Sequence, residues 1–194
     1  MGKTAKFDRE QVINQATDLY WQKGFHATSM RNLQDVIDMR PGSIYAAFGS
    51  KDGLFKEALN NYTQMGIVHL THCLDEASSP LEGLKEFIKH IVINTKHGAP
   101  NGMCMLAKTI AELNDEHQEL LEEAKQCFKK MEHTFVDVLN QAQQHGEISP
   151  DKDPAMLARH LQVQIAGLRT YAKANDDDAL LQEMIDDIFT HHPF

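Results

Sequence analysis

Three groups of side chains in this sequence have the types and the spacing for chemistry. His69, His72 and Cys73 fall at i, i+3 and i+4 of a helical stretch and so share a face. Two imidazoles and a thiol on one face could start a zinc or copper site. With 11 histidines in the chain such clusters also arise by chance, and a solvated helix face accounts for this one. No metal and no other cofactor is expected. Cys104 follows the breaker run Gly98-Ala99-Pro100-Asn101-Gly102 and opens a helical stretch. A thiol at a helix amino end is stabilised as the thiolate and is reactive. Lys108, one turn on, would help if it faced the sulfur. The alternative is a buried, inert thiol. The third group is basic and hydroxylic: Thr28, Ser29, Arg40, Ser43, Tyr45 and Lys51 surround the break at Pro41-Gly42. Basic side chains neutralise phosphates.

Catalytic constellations are missing from the sequence. It has no glycine-rich phosphate loop and no nucleophile elbow. A di-iron helical bundle would need Glu-x-x-His pairs, and none of the 11 histidines has a glutamate three residues before it. The expectation is a binding protein, not an enzyme.

The formal net charge of −9 hides an asymmetry. Residues 1–60 carry eight Lys/Arg and seven Asp/Glu, whereas residues 61–194 carry eleven and twenty-one. A nucleic-acid surface therefore belongs in the first part, and the acidic remainder, which would repel DNA, needs another role. No apolar run approaches the ~18 residues of a membrane span. The polar stretch Met1 to Glu10 lacks the apolar core of a secretory signal, so the expected location is cytoplasmic. Three cysteines, Cys73, Cys104 and Cys127, do not make a disulfide framework.

The elements that must position these groups are helices. Asp8 and Gln11 have capping-box spacing, and Val12, Ile13, Ala16, Leu19 and Tyr20 recur at helical period up to Gly24. Thr28 is the expected cap of a second helix with Met30, Leu33, Val36 and Ile37 on its apolar face. Asp38 to Ser43 breaks the chain, a short helix follows to Phe48, and Ser50 caps a long one carrying Leu54, Phe55, Ala58, Leu59 and Tyr62. Three helices with a tight turn between the last two describe a helix-turn-helix, and equally a small helical bundle. Breaks at Ser78-Ser79-Pro80, Gly98 to Gly102, Asn114-Asp115, Gly146 to Pro154 and Asn175 to Asp178 divide the rest into about five further helices. The fold class is all-α, with about nine helices and no strand pattern.

Residues 28–54 narrow this. Thr28, Leu33, Gly42-Ser43-Ile44-Tyr45-Ala46-Ala47-Phe48 and Ser50-Lys51-Asp52-Gly53-Leu54 resemble the DNA-binding domain of the tetracycline-repressor family, whose pattern runs Thr, an aliphatic five residues on, Gly-x-x-Tyr-x-x-Phe and Ser-Lys-x-x-Leu. The helical, acidic remainder resembles that family's ligand-binding and dimerisation part. The chain departs from the family pattern at Gln34, at Ile37-Asp38 in the turn, and at Ala47. Aspartate tolerates the left-handed conformation, so the turn survives.

The resemblance implies a helix-turn-helix domain over 1–50, an effector-binding and dimerisation domain over 51–194, and a ligand-responsive regulator, by default a repressor, bound as a homodimer to a palindromic operator in double-stranded DNA. It implies that Gly42 lets the backbone approach DNA, that Tyr45, Lys51, Thr28 and Ser29 meet phosphates, and that Arg40, Pro41, Ser43 and Ala46 face bases. Arginine pairs bidentately with guanine. Two linked copies bind far more tightly than one. The expected dimer surface is Leu157, Leu161, Ile165 and Leu168 with Leu181, Ile185 and Ile188. An unknown small-molecule effector is expected among Met65, Phe87, Met103, Cys104 and Phe128. Residues 102–113 also resemble a subgroup in which a cysteine senses electrophiles or oxidants, with Met103 as an insertion. The rival class is a helical ligand- or metal-binding homodimer that binds no DNA.

Overall fold

In the computed structural model, which describes residues 7–190, α1 (Arg9–Lys23) begins as its sequence requires. The Asp8 carboxylate accepts the Gln11 amide at 3.2 Å. The helix closes on Gly24 at φ 87°, where an added Cβ would also meet the Glu112 carboxylate at 2.4 Å. α2 (Met30–Ile37) is capped by Ser29, not by Thr28. A capping box needs a partner three residues on. Asn32 supplies it for Ser29, accepting the Ser29 amide at 3.0 Å while its own amide donates to the Ser29 hydroxyl at 3.1 Å. Thr28 has Arg31 at that position, and its buried hydroxyl instead donates to the Gly24 carbonyl at 2.6 Å.

Asp38 turns the chain at φ 50° and ψ 43°, the left-handed conformation its type tolerates. α3 (Pro41–Phe48) starts on the proline. α4 (Lys51–Glu76), 26 residues long, is capped by Ser50, and α5 (Pro80–Lys89) by Ser79. α5 runs through a π-helical turn, His90–Asn94, into the short α6 (Thr95–Gly98). α7 (Met105–Glu112), α8 (Gln118–Gln144), α9 (Pro154–Ala174) and α10 (Asp178–Thr190) follow. With α5 to α6 taken as one interrupted helix, nine helices and no strand stand among the described residues.

Two apolar clusters hold these helices. The first joins α1–α3 to the first half of α4, to Met105 and Leu106 of α7, and to Leu120, Ala124 and Cys127 of α8. The second joins the far halves of α4 and α8 to α5, α9 and α10. Packing is thus continuous across residue 50. Leu157, Leu161, Ile165, Leu168, Leu181, Ile185 and Ile188, expected at a dimer surface, belong to this second core, none more than 8% exposed. They seat α9 and α10 on their own subunit. An apolar stripe shows that a helix face is covered, not by which chain. The outward apolar side chains here are Met156, Val163, Tyr171 and Leu180.

Candidate functional site

The helix-turn-helix is positioned by what it buries. Leu33 and Ile37 of α2 pack with Ile44 and Phe48 of α3 in the first core. That leaves Arg40, Pro41, Gly42, Ser43, Tyr45 and Ala46 exposed along one edge, with Ser29 exposed at the start of α2. Tyr45 is 49% exposed, high for an aromatic on an apolar octapeptide helix. Arg40 stands at the N-cap of α3, where its side chain makes no capping hydrogen bond, and it makes no ion pair among the described residues. Gly42 has an ordinary backbone and nothing within 4 Å of a would-be Cβ, so nothing inside the chain requires glycine there.

Two expected phosphate ligands are placed otherwise. Thr28 is buried, and its amide donates to the Phe25 carbonyl as its hydroxyl does to Gly24. The Lys51 ammonium donates to the Phe25 carbonyl at 2.7 Å and lies 4.1 Å from the centre of the Phe25 ring. Burial pushes its pKa down, against the opposing pull of Asp52 and Glu112. Lys51 therefore ties the start of α4 to the α1–α2 turn. Arg9, which the sequence did not single out, donates to the Ala47 carbonyl at 3.2 Å, pairs with Glu57 and covers the Phe48 ring at 4.6 Å.

A cavity of about 650 Å³ opens between α4, α5–α6, α7, α8 and α9. This lies within the ~300–1,000 Å³ usual for small-molecule sites. Of the expected effector residues, Met65, Phe87, Cys104 and Phe128 line it. Met103 does not: its carbonyl accepts the Trp21 indole N–H at 2.7 Å, which fixes that residue in the α1 contact. The wall also contains His69 and residues that sequence reading missed, among them Trp21, Tyr62, His90, Gln162 and Arg169. Gln162 and Arg169 were legible as polar residues seven apart on the buried stripe of α9.

At one end of the cavity, Tyr62 meets Trp21 edge-on at 5.0 Å, and its hydroxyl accepts from Arg169 Nη1 at 3.1 Å. Burial raises the Tyr62 phenol well above its ordinary range, and the adjoining Cys104 thiol adds to this. Cys104 immediately precedes α7, as expected for a thiol at a helix amino end. Lys108 does not face the sulfur. It turns to the carbonyls of Gln22 and Trp21, at 3.0 and 3.4 Å. At the other end, the rings of His69 and His90 lie 4.0 Å apart. Burial, then the neighbouring His90 and His72, push the His69 pKa down. His69 is 3.7 Å from Cys73 Sγ, but His72 pairs outward with Glu76 at 3.6 Å. Among the described residues no three ligating groups are gathered to hold a metal.

The cavity wall is fastened to the helix-turn-helix. Besides the Met103 and Lys108 contacts, Glu112 at the end of α7 accepts the His26 amide at 2.8 Å and the Phe25 amide at 3.3 Å. One helix thus touches the cavity with Leu106 and Ala107 and the α1–α2 turn with Glu112.

Comparison with known proteins agrees with this arrangement. Residues 12–58 match the family model of bacterial regulatory proteins, tetR family, and residues 80–188 match that of the tetracyclin repressor-like C-terminal domain. The HTH-type transcriptional repressor ComR of Escherichia coli (strain K12) is 28% identical over 174 residues, covering 89% of this chain and 82% of ComR. The HTH-type transcriptional repressor BdcR of the same strain is 31% identical over 138 residues, covering 71% of this chain and 68% of BdcR. A cysteine mutant of the TetR family transcriptional regulator CifR, solved with 26-bp double-strand operator DNA, superimposes with a TM-score of 0.86 at 26% identity, over 98% of this chain and 100% of that one. No helix among the described residues is long and apolar enough to cross a membrane.

Proposed function

This chain belongs to the TetR family of bacterial regulatory proteins and is a helix-turn-helix transcriptional regulator, and from that premise we propose a homodimeric repressor that leaves a palindromic operator when a small molecule fills the cavity. The observation that carries the reading is the exposed edge from Arg40 to Ala46, held outward by the buried Ile44 and Phe48. Arg40 and Ser43 offer donors to base edges, and Pro41 and Ala46 offer apolar contact to a thymine methyl. Tyr45 offers its hydroxyl to a phosphate, exposed Ser29 would exchange its donation to Asn32 Oδ1 at 2.9 Å for one, and Gly42 lets the backbone come close. Residues 1–50 carry this face, and residues 51–194 carry the pairing surface and most of the cavity, whose wall Asp18 and Trp21 of α1 complete. Met156, Val163, Tyr171 and Leu180 are the exposed large apolar side chains that α9 and α10 offer to a second copy, and the two-fold pairing calls for a palindrome.

Release needs a path from cavity to DNA. α4 begins at the helix-turn-helix and runs past the cavity, and α7 borders the cavity and holds the α1–α2 turn through Glu112. A ligand that binds better when these helices are displaced shifts the spacing of the two recognition helices. Couplings of this kind amount to ~1–3 kcal/mol. Cys104 supports a second reading, because its thiol lies in the same wall and a covalent adduct would occupy the same space.

Selection of bound fragments from the source genome at low salt tests the first reading. The expected result is an enriched palindrome that protects two half-sites; no enrichment overturns it. An alkylating reagent that releases DNA from wild type and not from Cys104→Ser would establish the covalent reading. Equal behaviour of the two proteins leaves the reversible one.

A further inference from the structure

Resting on that effector reading, we propose that the cavity takes an organic acid, an apolar molecule whose carboxylate pairs with Arg169. The arginine is 5% exposed and lines the cavity. A guanidinium stays charged under all ordinary conditions, and a buried charge is costly unless it is paired. Yet among the described residues no carboxylate lies within 4 Å of Arg169. Its neutral partners are the Gly102 carbonyl, which accepts from Nε at 2.8 Å, and the Tyr62 hydroxyl, which accepts from Nη1 at 3.1 Å. Trp21 adds only a ring face at 5.9 Å.

The guanidinium keeps unused donors. Among the described residues Nη2 has no hydrogen-bond partner, yet no sealed side-chain nitrogen or oxygen lacks one. Nη2 is therefore not sealed, and the cavity is the space that Arg169 lines. Free Nη1–H and Nη2–H groups present the planar fork that fits the two oxygens of a carboxylate. The remaining wall suits the rest of such a molecule. From Tyr62 to His69 is seven residues of α4, ~10 Å along the helix axis, and Met65, Phe87, Phe128 and Phe135 border that length. The one carboxylate among the described wall residues, Asp18 of α1, is exposed and forms no ion pair with Arg169, so a neutral ligand would leave the guanidinium without a directly paired counter-charge.

Trp21 is the only tryptophan in the sequence and stands in the wall, so its fluorescence reports occupancy directly, without DNA. Decanoate and 2-naphthoate are titrated against decanamide and 2-naphthamide. The acids are expected to bind about 10- to 100-fold more tightly, the range of a charge-assisted pair. Arg169→Gln should abolish that preference at unchanged circular dichroism, and Arg169→Lys, with charge but no fork, should retain part of it. Equal binding of acid and amide by wild type, no response of Trp21 to any of the four probes, or an acid preference that survives in Arg169→Gln overturns the proposal. If Arg169→Gln fails to fold, the acid–amide contrast on wild type decides. Operator release is read separately. Acids that bind without loosening DNA defeat the proposed release and leave the acid site standing, whereas amides that bind and release DNA as well as acids defeat the acid site alone.

Discussion

The Glu112 carboxylate accepts the backbone N–H of His26 at 2.8 Å, across 86 residues of sequence, and so joins the last turn of α7 to the turn that leads into the helix-turn-helix. Glu112→Ala removes the acceptor from two amides, Phe25 and His26. Hydrogen bonds to charged groups contribute ~1.5–3 kcal/mol each when desolvated; the exposure of this pair places the expected loss at the low end. Urea unfolding measures that loss. A ligand titration of the operator complex should show binding intact and release weakened. A variant that responds to ligand like wild type would show that α4 alone carries the signal.

Tyr45→Phe removes a hydroxyl from the exposed edge without touching the core, since Tyr45 is 49% exposed. Operator and non-operator DNA should both be bound more weakly, by about 1 kcal/mol. Arg40→Ala should instead relax base preference at one position of each half-site. Gly42→Ala should leave the fold at least as stable as wild type and still weaken DNA binding, because only an outside surface needs that space. Gel-shift titration against matched and scrambled duplexes separates the three. Wild-type affinity in Gly42→Ala would contradict a close approach at α3.

Lys51→Ala should lower stability, because the Phe25 carbonyl loses the ammonium that donates to it at 2.7 Å. The expected cost is ~1–2 kcal/mol, read from denaturant midpoints. The salt dependence of DNA binding should stay near wild type. A salt slope reduced by about one unit at unchanged stability would return Lys51 to the phosphates.

The outward face of α9 gives opposite outcomes for neighbouring positions. Val163 is 71% exposed, so Val163→Glu should yield a folded monomer. Leu161 is fully buried, so Leu161→Glu should unfold the subunit, because an unpaired charge enters the core. Light scattering with circular dichroism distinguishes them. A Val163→Glu variant that stays dimeric would move the interface away from α9.

Acid should loosen the cavity end at His69. Burial and the neighbouring His90 and His72 lower its pKa in the folded chain, so the unfolded chain binds its proton first. The contribution of His69 is complete above the unfolded pKa, near 6.5, and is lost as the pH falls below it. Melting temperatures from pH 7.5 to 5.0 should therefore fall more steeply for wild type than for His69→Gln. Parallel profiles would remove His69 from the cavity wall.

What the chain reveals by itself is whatever depends on near neighbours. Asp8, Gly24, Asp38, Ser50 and Pro80 start and stop helices through residues within four positions, so their roles were legible. The spacing of Gly42, Tyr45, Phe48, Ser50, Lys51 and Leu54 was equally legible, and with it the family. Thr28 and Ser29 show where that legibility ends: adjacent hydroxyls take different partners, one turned inward to Gly24 and one boxed with Asn32. Three roles were decided only by the tertiary structure. Lys51 serves the Phe25 carbonyl, Leu161 and Ile165 serve their own subunit's core, and Arg169 stands in a cavity wall with no ion-pair partner among the described residues. The reason is physical. Helical periodicity records that a face is buried, whereas the partner of a buried group is chosen by packing between segments 26 to 107 residues apart, as Lys51 with Phe25 and Arg169 with Tyr62.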